Sequence, residues 1–266
     1  MAAGARVLML TPVKDAEEFL ERYFANLRGL AYPHELLSLG MLESDSEDAT
    51  WARLEEERPR LKREFRSVTL CRRDFGYRIP PGRSRWSASL QIGRRAALAR
   101  SRNHLLFRAL QDEDWVLWLD VDVIEYPADI IETLLAPGRD IVTPNCVRTP
   151  GGKSYDLNAW RDRGRLHLHD LRAEGDLVPL DAVGGTMLLV RADVHRGGLI
   201  FPPFLYGRSN PRARHFNHFV TIYRPWRVLE GDHRGEIETE GLAMMAHDMG
   251  YQCWGMPNVE VIHHNA

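Results

Sequence analysis

Five consecutive apolar residues, Trp115-Val116-Leu117-Trp118-Leu119, run straight into Asp120-Val121-Asp122. So short a run with no polar member suits a strand covered on both faces, and strands of that kind belong to parallel sheets sandwiched between helices. The two carboxylates come where the strand ends. In open α/β sheets, ligands collect beyond the carboxyl ends of the strands. This octapeptide therefore asks for an α/β fold with an acidic, cation-seeking site at the end of an inner strand.

The rest of the chain agrees. Strands are expected over residues 7–10, 36–42, 67–71, 140–145, 183–190, 251–254 and 259–262, and helices over 17–30, 48–65, 93–110, 127–135 and 238–249. Phe19, Leu20, Tyr23, Phe24, Leu27 and Leu30 recur at helical spacing. Ser46 or Asp48 can cap the second helix, and Gly250 suits the end of the last. The segment 75–89, with Pro80-Pro81-Gly82, has no period and reads as a loop. Residues 149–180 are polar and turn-rich, and 198–234 are loop-rich. The expected fold is a single α/β domain over 1–266. Its Rossmann-like, mostly parallel sheet carries helices on both faces, and a loop-rich second half begins near residue 147.

With 266 residues, 44% apolar and 27% charged, the chain has the makeup of a globular domain with a full core. No apolar run approaches the roughly 20 residues of a membrane span, and residues 1–13 read as a first strand rather than a signal peptide. A cytoplasmic protein is the expectation. Cys71, Cys146 and Cys253 are isolated, which excludes a disulfide framework or a cysteine zinc site. Between Arg58 and Arg108 stand fifteen Lys or Arg against two acids, Glu64 and Asp74. Such a block suits an anionic partner, a peripheral membrane contact or a solvated surface. Net charge of −2 argues mildly against nucleic acid.

Asp120 and Asp122 are spaced to face one hard cation, Mn2+ or Mg2+, shared with substrate phosphates. His263 and His264 follow the last strand. One of them can add a ligand, and His263 is nearer the strand. Arg100, Arg102 and Asn103 sit on a helix turn where guanidinium groups can neutralise phosphate, or can simply be an exposed face. Gly184-Gly185-Thr186 within a strand signals close approach by a ligand or a bulge. Glu238-Thr239-Glu240-Gly241 opens a helix, where acids complement the dipole or orient a substrate. Residues 155–160, Tyr-Asp-Leu-Asn-Ala-Trp, have the polar and aromatic groups of a sugar contact. Thr11, residues 43–45 and residues 120–122 all fall at strand ends and should converge on one cleft.

In this order the segments 8–12 (LMLTP), 42–46 (LESDS), 115–123, 143–146 (TPNC), 155–158 (YDLN), 238–241 (ETEG) and 256–258 (MPN) resemble the fungal mannan-polymerase subunits of glycosyltransferase family 62. The resemblance runs from residue 7 to 264. It implies a GT-A fold, GDP-mannose as donor, Mn2+ as cofactor, and retaining transfer to a glycan or other hydroxyl acceptor. It also implies metal binding by Asp122 and the histidine after Ile262. Arg102-Asn103 aligns with the family's Ala-Arg-Asn helix start, with Ser101 in place of Ala. On this reading Thr11, Pro12, Glu43, Ser44 and Asp45 hold base and ribose. Arg102, Asn103, Asp120 and Val121 meet the diphosphate, and Glu240 or Asp181 orients the acceptor. Fungal members carry an N-terminal Golgi anchor and work in complexes with related subunits. The anchor is not seen here, so a Golgi lumen location is expected only of a trimmed chain. The rivals are a nucleotidyltransferase, which would need a Gly-rich loop after the first strand where 11–15 is Thr-Pro-Val-Lys-Asp, a nucleic-acid binder using 58–108, and a catalytically silent subunit.

Overall fold

The computed structural model describes residues 4–84, 87–207, 209–213 and 235–264, so residues 214–234 of the loop-rich stretch lie outside the described part. In chain order come β1 (Val7–Val13), α1 (Glu17–Arg28), β2 (Leu37–Glu43), α2 (Thr50–Glu64), β3 (Ser67–Arg72), α3 (Ala88–Ala109), β4 (Trp115–Leu119), β5 (Val123–Glu125) and α4 (Ile130–Leu135). They are followed by β6 (Ile141–Val147), the hairpin β7 (Trp160–Arg161) and β8 (Leu166–His167), β9 (Val178–Leu180), β10 (Met187–Arg191), α5 (Ala192–Arg196), α6 (Glu238–Asp248) and β11 (Cys253–His263).

The main sheet has the order β3-β2-β1-β4-β10-β6-β11-β5, with β9 also on β11. Strands β3, β2, β1 and β4 are parallel, as are β6 and β11. Strand β10 lies antiparallel between β4 and β6. It breaks the parallel rule because the connection from β6 is not a crossover helix but the segment 148–186, which brings the chain back into the sheet at the same end where β6 left it.

Alternation along the inner strands divides the core. Val7 and Met9 of β1, with Trp115, Leu117 and Leu119 of β4, pack under α1, α2 and α4. Leu8 and Leu10, with Val116 and Trp118, pack under α3, α5 and α6. Both faces are thus helix-covered, which is why β4 carries no polar side chain. Helix α3 lies tight on the sheet at Gly40, where a Cβ would stand 2.5 Å from Leu10 and 3.0 Å from Ala109. Asp48 ties two helix starts together by accepting from the N–H of Thr50 and of Glu17, each at 3.0 Å. Gly250 closes α6 at φ +89°.

Three expectations change. Residues 183–186 are not strand, and β10 starts only at Met187. The two short strands expected after residue 250 are one, β11, interrupted by a register shift between Met256 and Glu260. Helix α3 starts at Ala88, five residues before the expected 93.

Candidate functional site

Strand β4 delivers its two carboxylates into a cleft of about 910 Å3. The N–H of Asp120 bonds Thr186 O at 2.9 Å, which joins the end of β4 to the start of β10. The N–H of His264 bonds Asp122 O at 2.9 Å, which clips the end of β11 to the same turn. The second bond brings residues 141 positions apart face to face: His263 Nε2 lies 3.1 Å from Asp122 Oδ2. His263 Nδ1 lies 2.7 Å from His264 O, and that contact leaves Nε2 to face the carboxylate. The Tyr155 ring lies tilted against His263 with centroids 4.1 Å apart, and the Arg148 guanidinium lies 4.6 Å from the Tyr155 ring.

Behind the carboxylates is a buried charge cluster. Arg102, 1% exposed, donates to Asp120 Oδ1 at 3.0 Å and to Gly185 O at 3.2 Å from both terminal nitrogens. Its Nε lies 3.3 Å from Glu238 Oε1, off the hydrogen-bonding axis. Arg95 reaches Glu238 at 3.4 Å, Ile237 O at 2.7 Å, and Glu240. Glu238 holds a left-handed φ of +61°, costly for a non-glycine residue and found mainly where function fixes the backbone. The glycine pair has a packing origin. A Cβ on Gly184 would stand 2.1 Å from Asp156 Oδ2, and one on Gly185 2.7 Å from the Arg102 guanidinium and from Thr239. What approaches these glycines is the protein's own site side chains.

Burial pushes Asp120 up to about 7, and the charges of Asp122, Asp156 and Glu238 add to this while Arg102 opposes it. Burial alone would lower His263, but the hydrogen bond and charge of Asp122 outweigh it and raise the group. The imidazole Nε2 and the carboxylate Oδ2 thus face each other at 3.1 Å. With its imidazole neutral, a nitrogen donor beside a carboxylate oxygen suits Mn2+ better than Mg2+. Among the described residues no three His, Cys, Asp or Glu are arranged to enclose a metal by themselves. The pair therefore fits an ion that takes its remaining ligands from phosphate and water.

Pro12, Arg102, Asp120, Val121, Asp122 and His263 all line the cleft. Ser44 and Asp45, again with Pro12, line an adjoining hollow. The other expected contacts point elsewhere. Thr11 is fully buried with its hydroxyl 2.7 Å from Tyr23, and Glu43 is fully buried on Arg72 and the Ser46 N–H. Asn103 brackets Phe201, donating to its carbonyl at 2.7 Å and accepting from its N–H at 2.9 Å. Glu240, also fully buried, accepts from Trp160 Nε1 at 3.1 Å, and Asp181 accepts from the Asp162 N–H at 2.9 Å. Asp156, Thr186, Glu238 and Lys153 line the cleft without having been singled out individually. Three of them, Asp156, Thr186 and Glu238, stood inside noted motifs, but nothing in a sequence tells which member of such a motif turns inward. Part of the arginine block is spent on ion pairs. Arg60, Arg66, Arg72, Arg78, Arg95 and Arg102 are each paired with acids.

The sequence profile of the Anp1 family matches residues 1–170 and 162–205. The mannan polymerase II complex anp1 subunit of Schizosaccharomyces pombe is 29% identical, covering 97% of this chain, which spans 64% of that protein's length. The mannan polymerase complex subunit mnn9 of the same yeast is 31% identical over 97% of this chain and 80% of its own. Among solved structures, the mannosyltransferase PcManGT from Pyrobaculum calidifontis, in complex with GDP-Man and Mn2+, superposes with a TM-score of 0.56. It has 18% identity and covers 97% of this chain and 56% of that one. GalNAc-T7 with UDP, GalNAc and Mn2+ also superposes at 0.56, with 13% identity, over 97% of this chain and 44% of that one. These neighbours give the fold, a GT-A arrangement. Relatives named for mannan polymerase complexes lend nothing to the cytoplasmic placement expected above, and no helix among the described residues is long and apolar enough to cross a membrane. With the profile covering most of the chain and a 31% identical relative aligned along nearly all of it, the chain belongs to the Anp1 family.

Proposed function

We propose that the chain is a metal-dependent glycosyltransferase that moves mannose from GDP-mannose to a hydroxyl acceptor, a glycan or a smaller alcohol, with retention of configuration. The observation that carries this reading is the meeting of Asp120, Asp122, His263 and Arg102 in one cleft at the end of β4. Membership of a family whose relatives are mannan polymerase subunits supports mannosyl transfer. A fold neighbour holding GDP-Man and Mn2+ supports the donor and the ion. The relatives' names also support work alongside further subunits.

Asp122 and His263, with Asp120 beside them, are the residues that would hold Mn2+, or Mg2+ in its place. When bound, the ion supplies Lewis-acid neutralisation of the diphosphate. Arg102 adds a fixed positive charge at the same place, and its lack of freedom is useful: a donor already oriented needs no reorganisation as negative charge builds on the leaving group. Residues 1–146 form the donor side, with Pro12, Ser44 and Asp45 bordering the nucleoside. Residues 147–266 form the acceptor side, where Asp156, Asn158 and Lys153 offer polar groups to a sugar. Glu240 acts through Arg95 rather than on the acceptor. The acceptor hydroxyl attacks the anomeric carbon on the face from which the phosphate departs. The departing oxygen takes the proton, so no protein base is required.

The test is nucleoside diphosphate release. Incubation with GDP-mannose, Mn2+ and an oligomannoside should liberate GDP, and chelation should stop it. Release from UDP-sugars alone, or turnover indifferent to chelation, would contradict the proposal.

A further inference from the structure

Where the chain leaves β6 it makes a tight turn beside the cleft. Val147 and Ser154 are bridged antiparallel, the Tyr155 N–H donates to Cys146 O at 2.7 Å, and the Gly152 N–H donates to Thr149 O at 2.9 Å. Pro150-Gly151, with Gly151 at φ +73°, suits the centre of a type II turn. The tip is clamped. Glu260 accepts from the Gly151 N–H at 2.9 Å, and Arg172 donates to Gly151 O at 3.0 Å, to Gly152 O at 2.6 Å and to Glu260 at 2.6 Å.

One step from the bridged pair, Arg148 and Lys153 come opposite each other on the two arms of this turn. Both are exposed, and both line the cleft. Like charges opposed in this way repel. Other cations of the cleft are already occupied: Arg95 and Arg102 hold Glu238, Glu240 and Asp120, and Lys14 donates to two carbonyls. Among the described residues, neither Arg148 nor Lys153 takes part in an ion pair or a hydrogen bond. The acid that does reach the turn, Glu260, is held by Arg172 and the Gly151 N–H. A braced turn thus presents two uncompensated positive charges. The Arg148 guanidinium lies 4.6 Å from the Tyr155 ring, which lies 4.1 Å from the His263 ring, so the pair stands one aromatic ring away from the imidazole of the site.

We propose that the acceptor carries a phosphate ester, bound by Arg148 and Lys153 while a hydroxyl elsewhere on the same molecule receives the sugar. The inference rests on the reading of the cleft as a glycosyltransferase site and narrows the acceptor from any hydroxyl compound to a phosphorylated one. A phosphate monoester carries about two negative charges at neutral pH. A guanidinium fork takes two of its oxygens, and an ammonium group takes a third as a point charge. The donor's own diphosphate has Arg102 and the Asp122–His263 pair. The phosphate can belong to a soluble sugar ester or to a lipid headgroup. Leu157, which also lines the cleft and is 53% exposed, offers an alkyl chain a seat.

GDP release by the full chain with GDP-mannose and Mn2+ tests it, with three acceptors: α-mannobiose, α-mannobiosyl phosphate and its dodecyl ester. Wild type should prefer the phosphorylated disaccharide to the neutral one by about tenfold or more in kcat/KM, the scale of one hydrogen bond to a charged group. That ratio should fall with added salt. It should approach one in Arg148→Gln/Lys153→Gln and hold in Arg148→Lys, which keeps the charge. The Tm of the double variant should hold or rise, because two opposed like charges are gone. A further gain with the dodecyl ester assigns the phosphate to a lipid, and equal use of the two esters assigns it to a soluble sugar; either supports the proposal. A wild-type ratio near one, a ratio the double variant leaves unchanged, or a KM for GDP-mannose that rises equally with every acceptor overturns it, the last by giving the two charges to the donor. Release with the neutral acceptor alone sinks this proposal and spares the glycosyltransferase reading. No release with any acceptor sinks both.

Discussion

Replacing Arg102 with methionine keeps most of the side-chain volume and deletes the guanidinium. The structure sets the consequence. Arg102 is 1% exposed, bonds Asp120 at 3.0 Å and Gly185 O at 3.2 Å, and lies 3.3 Å from Glu238. Removing one partner of a buried ion pair costs about 3–5 kcal/mol, because the other charge stays buried. Asp120 has 32% of its side chain exposed and can shed its charge, so the lower end applies. The cost must also depend on pH. Asp120 already stands near 7 with Arg102 beside it, and loss of that cation raises it further. Between the unfolded and folded values the native state binds the extra proton, so stability falls as pH rises. Urea unfolding at pH 6 and pH 8 should show Arg102→Met destabilised by about 3 kcal/mol at the higher pH and by less at the lower. Arg102→Lys should lie between methionine and wild type, since one ammonium cannot span Asp120 and Gly185 O together. A loss below about 1 kcal/mol, or one equal at the two pH values, would refute the account of this cluster.

Other consequences follow from the fold. Asp48→Ala removes the acceptor for the first N–H groups of both α1 and α2 and should cost about 1–2 kcal/mol by urea denaturation, with Asp48→Asn retaining most of it. His195 is lowered by burial to about 4, with Trp118 Nε1 3.3 Å from its Nε2 and its Nδ1 2.8 Å from Leu199 O. Below its unfolded value of 6.5 the unfolded chain takes a proton that the fold refuses. Stability from this group is therefore lost as pH falls from 6.5 towards 4, by about 2 kcal/mol at pH 5. His195→Gln should flatten that part of the stability curve, and an unchanged slope would count against a buried neutral imidazole.

The architecture was legible wherever both faces of an element carry the same message. Strand β4 is uniformly apolar because helices cover it on both sides, and Asp120-Val121-Asp122 marks its end without ambiguity. The tandem histidines were legible too, since only one can face inward at the end of β11. What stayed hidden depends on rotamer and on neighbours distant in sequence. Thr11 and Glu43 occupy the expected strand ends, yet Tyr23 and Arg72 draw their side chains away from the cleft. Glu240 and Glu238 are two residues apart on one helix start, yet Glu238, at a left-handed φ, lines the cleft while Glu240 is buried on Arg95 and Trp160. Gly184 and Gly185 were noticed, but their reason lies in Asp156 and Arg102, 28 and 83 positions earlier respectively (184 − 156 and 185 − 102).

The central claim is that Asp122 and His263 hold one divalent ion that binds a nucleoside diphosphate to the protein. Mn2+ electron paramagnetic resonance, titrated with protein in the presence of GDP, reads this directly as loss of the free-ion signal. Wild-type protein should bind one Mn2+ per chain and more tightly with GDP than without, while Asp122→Asn and His263→Ala should leave the free-ion signal nearly intact although both remain folded. Equal Mn2+ binding by wild type and the two variants, or binding indifferent to GDP, would contradict the account.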